Sequence, residues 1–123
     1  MRVLVVEDDS VHRFILKTIF EKSSDQVTAV CNGREAMEVL DIDQSFNVIL
    51  TDIQMPEMNG LELLSRIKQN HCTQTIPVIG FTAGDVNHYR GISQTPFDAL
   101  VAKPMDFWDL YSLAKKYVDT PLN

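Results

Sequence analysis

Arg2-Val3-Leu4-Val5-Val6-Glu7-Asp8-Asp9 opens the chain with a run of aliphatic residues that closes on consecutive carboxylates. A short, continuous apolar run of this kind suits a strand buried on both faces of a sheet. The pattern recurs: Val48-Ile49-Leu50-Thr51 is followed by Asp52, Val78-Ile79-Gly80-Phe81 by Thr82, and Ala99-Leu100-Val101-Ala102 by Lys103. As parallel strands of one sheet, these runs bring Glu7, Asp8, Asp52, Thr82 and Lys103 to a single edge. Open α/β sheets bind ligands at the carboxyl ends of their strands, so the convergence of carboxylates, a hydroxyl and an ammonium there defines a candidate site.

Strand-like and helix-like segments alternate along the whole chain. Residues 2–6, 26–30, 47–51, 77–82 and 98–102 read as buried strands. Between them, Val11, Phe14, Ile15 and Ile19 mark one amphipathic helix, Ala36, Met37 and Leu40 a second, and Leu61, Leu64 and Ile67 a third. The last helix is marked by Phe107, Leu110, Tyr111, Ala114 and Val118. Ser10, Asn32, Asn59 and Asp106 stand where N-caps belong. Residues 85–95 are less regular, because Gly91 and Pro96 leave room only for a short or irregular helix. The alternation predicts one (βα)5 domain over residues 1–123 with right-handed crossovers, and no output domain after it.

Composition narrows the partners. With 123 residues and a net charge of −6, the chain would be repelled by nucleic acid or an anionic membrane surface. No signal peptide or membrane-length apolar stretch is present, which makes the cytoplasm the expected compartment. Cys31 and Cys72 belong to no CxxC or His/Cys cluster and read as buried or half-buried thiols. His12, His71 and His88 lack metal-ligand spacing and read as solvated or half-buried side chains.

The edge residues suit phosphoryl transfer. A carboxylate can accept a phosphoryl group as an acyl phosphate, but an anionic nucleophile must then approach an anionic donor. Three carboxylates against the single ammonium of Lys103 leave two net negative charges, which one Mg²⁺ would neutralise through the oxygen ligands it prefers. Catalysis in such a site is mostly positioning and charge neutralisation. Read singly, Glu7-Asp8-Asp9 could instead be an acidic first helical turn, Thr82 a strand hydroxyl and Lys103 a solvated lysine.

In combination, Val5-Val6-Glu7-Asp8-Asp9, Asp52-Ile53-Gln54-Met55-Pro56 with Asn59-Gly60, Phe81-Thr82-Ala83 and Lys103-Pro104 resemble, in order and spacing, the signature blocks of response-regulator receiver domains. The resemblance covers essentially the whole chain. It implies a flavodoxin-like, doubly wound five-stranded parallel sheet in the order 2-1-3-4-5. It also implies a two-component or phosphorelay signalling domain that catalyses only its own phosphorylation and dephosphorylation. Asp52 becomes the phosphoacceptor, with Thr82 and Lys103 binding phosphoryl oxygens. Asp8, Asp52 and the backbone carbonyl of Gln54 become the direct Mg²⁺ ligands, with Glu7 contacting the metal through water and Mn²⁺ as a substitute. Glu7 stands where many receivers carry aspartate. The implied partners are a histidine kinase or histidine phosphotransfer domain as donor and an unidentified downstream protein. The peptide before Pro104 is implied to be cis.

Gln54, Ala83, Gly84, Leu100 and Pro104 occupy positions that the resemblance associates with switching and with the lifetime of the phosphorylated state. Leu100 replaces a frequent aromatic, and Gly84 offers no side chain. Met105, Phe107 and Trp108 cluster beside the site and read as core edge, with Trp108 as the alternative partner contact. Two other functions fit the sequence less well. An aspartate-nucleophile phosphohydrolase of the haloacid-dehalogenase type would place a second aspartate where Gln54 stands, and an interaction module that had lost phosphorylation would not need all five site residues.

Overall fold

The computed structural model describes residues 1–55, 57–83, 86–92, 95–102 and 106–119; the side chains of residues 90 and 92 are also outside the description. The chain alternates β1 (Arg2–Val6), α1 (Ser10–Lys22), β2 (Gln26–Val30), α2 (Gly33–Ile42), β3 (Val48–Asp52), α3 (Gly60–Gln69), β4 (Val78–Thr82), α4 (Val86–Ile92), β5 (Ala99–Ala102) and α5 (Phe107–Asp119). All neighbouring strands are parallel, in the order β2-β1-β3-β4-β5. This is the predicted doubly wound sheet. Asp52 is the last residue of β3 rather than the residue after it.

The period-two alternation of each strand divides the core into two layers. Leu4, Val6 and Ile49 face Ala36 and Leu40 of α2 and Leu63, Leu64 and Ile67 of α3. Val3, Val5, Leu50, Ile79 and Phe81 face Leu16 and Phe20 of α1 and Leu110 and Ala114 of α5. Buried on both sides, β1, β3 and β4 explain the near-continuous apolar runs. β2 lies at the sheet edge and is only partly covered.

Four local expectations require correction. The N-cap of α1 is Asp9, not Ser10: Asp9 Oδ1 accepts from the Val11 N–H at 2.9 Å and the His12 N–H at 3.1 Å. A carboxylate satisfies these end groups and also complements the positive end of the helix. Of the expected stripe of α1, Ile19 is buried, but together with Leu16 and Phe20, whereas Val11 and Phe14 are 63% and 69% exposed. Two apolar stripes overlap in this helix, and the inward one is headed by His12, whose ring packs 5.4 Å from that of Phe107. Both cysteines are exposed, because they lie beyond β2 and beyond α3 rather than within either core layer. Trp108 is also exposed, at 52%, with its ring set edge-on to Tyr111 on the outer side of α5.

Candidate functional site

In the order 2-1-3-4-5, β2 and β3 lie on opposite sides of β1, and the crevice between the carboxyl ends of β1 and β3 is the switch point of the fold. Val6 pairs with Thr51, which places Glu7 and Asp52 next in line on adjacent strands. Carboxylate oxygens of Glu7, Asp8 and Asp52 lie within 4.8 Å of one another. Glu7 and Asp52 are buried, Asp8 is exposed, and Thr82 is fully buried at the end of β4. The triple acidic sequence thus divides its work. Asp9 serves the helix, while Glu7 and Asp8 turn toward Asp52.

The approach from β1 is held by two contacts. The Asp9 N–H donates to Glu7 Oε1 at 3.1 Å. Arg13, one turn into α1, donates through Nη1 to the carbonyl oxygens of Glu7 at 2.8 Å and Asp8 at 3.4 Å. No sequence pattern marks Arg13, because its target is backbone and leaves no residue-type signature.

Asp52 is fixed through its backbone. Its carbonyl accepts from the Thr51 hydroxyl at 2.8 Å, and the Ile53 N–H donates to the Phe81 carbonyl at 3.2 Å. The Gly60 N–H returns to the Ile53 carbonyl at 2.8 Å. A Cβ on Gly60 would stand 2.5 Å from the Asp52 carbonyl oxygen and 2.8 Å from Ile53 Cα, so only glycine lets α3 begin this close to the site.

The loop from β3 to α3 is held from α2. Gly33 and Arg34 donate their N–H groups to the carbonyls of Met58 at 3.2 Å and Glu57 at 3.3 Å, and Asn32 Oδ1 caps Glu35. These are end groups of a helix that would otherwise lack partners. Glu57 and Met58 adopt left-handed backbone conformations, with φ of 50° and 78°. The strain is held by these two bonds and by the Arg34–Glu57 ion pair at 2.9 Å, whose hydrogen bond raises the Arg34 pKa.

Gln54 donates from Nε2 to the Tyr89 hydroxyl of α4 at 2.7 Å. No sequence pattern marks Tyr89 either, because α4 carries too little periodicity to show its inward face. Leu100 packs with Phe97 over Gly80, where an added Cβ would meet the Phe97 ring at 2.8 Å and Leu100 Cδ1 at 3.0 Å. Ala83 is exposed, immediately after β4. Ala102 pairs with Thr82 at the end of β5. The expected Lys103 ammonium, the Pro104 peptide, Met105 and Gly84 lie outside the described residues.

This chain belongs to the response regulator receiver domain family, whose model matches residues 3–115. It is 39% identical over 85 residues to the rice (Oryza sativa subsp. japonica) two-component response regulator ORR5, covering 69% of this chain and 63% of that protein. The match therefore spans less than two thirds of that relative. The signal receiver domain of a histidine kinase from Syntrophus aciditrophicus superposes with a TM-score of 0.86 at 31% identity, over 99% of this chain and 96% of the other. The response regulator TrrA from Thermotoga maritima, in complex with Mg²⁺-BeF, gives 0.81 at 29% identity, over 94% of this chain and 97% of that one. Among the described residues, no helix is long and apolar enough to cross a membrane.

Proposed function

We propose that this chain takes a phosphoryl group from a phosphohistidine onto Asp52 and passes the signal on through a changed protein surface. The observation that carries this reading is the convergence of the Glu7, Asp8 and Asp52 carboxylates at the switch point. An Asp52 carboxylate oxygen attacks phosphorus, the phosphorus–nitrogen bond of the donor breaks, and the imidazole leaves with that electron pair. Acyl phosphate forms without loss of water.

The donor set fits a hard divalent cation, since it is a cluster of three carboxylates. Glu7, Asp8, Asp52 and the Gln54 carbonyl would hold Mg²⁺, which when bound offsets the repulsion between the nucleophile and its donor. Thr82 and Lys103 bind phosphoryl oxygens. Thr82 terminates β4, and a bond from its hydroxyl to the phosphoryl group would bias the α4, β5 and α5 surface that follows. The donor is a histidine kinase or phosphotransfer domain, with the cytoplasm as the setting. A phosphohydrolase is disfavoured because Gln54 has no carboxyl group to shuttle a proton, and its amide is engaged by Tyr89.

Incubation with acetyl phosphate and Mg²⁺ is expected to add one phosphoryl mass, and Asp52→Asn to abolish it. Intact-mass spectrometry reads the outcome. Equal labelling of the mutant would remove Asp52 from this role.

A further inference from the structure

The carbonyl oxygens of Glu7 and Asp8 precede the helical ladder of α1, whose first bond runs from the Arg13 N–H to the Asp9 carbonyl at 2.9 Å. The N–H groups of Val11 and His12 are taken by the Asp9 carboxylate. The Arg13 guanidinium supplies donors instead: Nη1 reaches back to the Glu7 carbonyl at 2.8 Å and, at the longer 3.4 Å, to that of Asp8. Both residues held in this way belong to the carboxylate cluster that includes Asp52. Repulsion within the cluster pushes its members apart, and Asp8, being exposed, has little packing to oppose that push.

We infer that Arg13 is a positioning residue for the cation site: by fixing the Glu7 and Asp8 peptides it holds their carboxylates together against repulsion and so raises the affinity of the cluster for a divalent cation. The inference rests on the receiver reading above. The cost of ordering these ligands is met on folding rather than on binding, as it is wherever a bond to a ligand residue fixes its orientation in advance. The charge of the guanidinium acts in the opposite direction. A positive group beside the cluster, with no other effect, repels a second cation and weakens its binding. Removing the Arg13 guanidinium therefore tightens Mg²⁺ binding if the side chain is only a counter-charge, and loosens it if the side chain is a support. The two bonds to backbone carbonyls assign it the second role.

Arg13→Met removes the donors and keeps an aliphatic stem, whereas Arg13→Lys returns a single ammonium donor. Leu16→Ala is the control for general loosening of α1, since Leu16 is fully buried on the same helix. Mg²⁺ dissociation constants are measured by isothermal titration calorimetry on the whole chain, at a temperature where circular dichroism shows each variant folded. Arg13→Met is expected to weaken Mg²⁺ binding roughly tenfold, as loss of a bond that orients metal ligands does, and Arg13→Lys to recover most of that loss. Leu16→Ala is expected to lower the melting temperature while its dissociation constant stays within about twofold of the parent's. A dissociation constant unchanged or lowered in Arg13→Met, or raised as much by Leu16→Ala or Arg13→Lys as by Arg13→Met, would overturn the inference while leaving the receiver reading intact. Absence of Mg²⁺ binding in the parent would overturn both.

Discussion

Asp43 ends α2 within a compact polar cluster. Its carboxylate accepts from the Ser45 hydroxyl at 2.6 Å, from Arg2 at 2.8 Å and from the Ser45 N–H at 2.9 Å. These bonds, the Ser45 hydroxyl first, lower its pKa from 3.8 to about 2. A lowered folded-state pKa means that the unfolded chain binds the proton more readily. The stabilisation is therefore complete above the unfolded value and is lost as pH falls from about 4 toward 2. Because the side chain is partly open to solvent, the contribution is screened and modest. Thermal melts between pH 5 and 2 are expected to show a steeper acid loss for the parent than for Asp43→Asn; parallel curves would exclude this carboxylate from acid unfolding. At the same residue scale, residue type made the carboxylates of Glu7, Asp8 and Asp52 legible in the sequence. Arg13 and Tyr89 were not legible, since their roles depend on a backbone carbonyl and on a side chain 35 positions away.

At the scale of elements, strand identity followed from runs buried on both faces, and helix existence from spacing. The face of α1 did not, because Val11, Phe14 and Ile15 form one apolar stripe while Leu16, Ile19 and Phe20 form another. Only the packing against α5 and the sheet selects the second. The consequence is measurable. Leu16 is fully buried, so Leu16→Ala is expected to cost about 2–5 kcal/mol through lost burial and a residual cavity. Phe14→Ser removes a larger side chain, but from solvent, and is expected to change stability by less than about 1 kcal/mol. Urea denaturation of the two variants checks the assignment; a larger loss from Phe14→Ser would mean that α1 presents its other face to the core. α2 illustrates a second kind of hidden information. Its Asn32 cap was readable, whereas its donation of the Gly33 and Arg34 N–H groups to the β3–α3 loop required the fold.

At the scale of the whole molecule, the site exists only when the chain has folded, because Glu7 and Asp8 follow β1 whereas Asp52 ends β3, and the sheet register brings them together. The unfolded chain has no such cluster. Carboxylates held within 4.8 Å of one another repel, so in the absence of a cation the site opposes folding. A cation that binds this arrangement and not the unfolded chain returns its binding free energy as stability, by RT ln(1 + [L]/Kd). At Mg²⁺ about ten times its Kd this amounts to roughly 1.4 kcal/mol, or about 4–8 °C in melting temperature for a domain of this size. Asp8 separates the two effects, since it is the exposed member of the cluster and can be removed without opening a core cavity. Asp8→Ala is expected to melt above the parent in EDTA, where one repelling charge has gone, and to lose most of the Mg²⁺ increment. Scanning calorimetry in EDTA and across a Mg²⁺ titration tests both signs at once. An Mg²⁺ response in the variant equal to the parent's would place the cation elsewhere on this acidic surface.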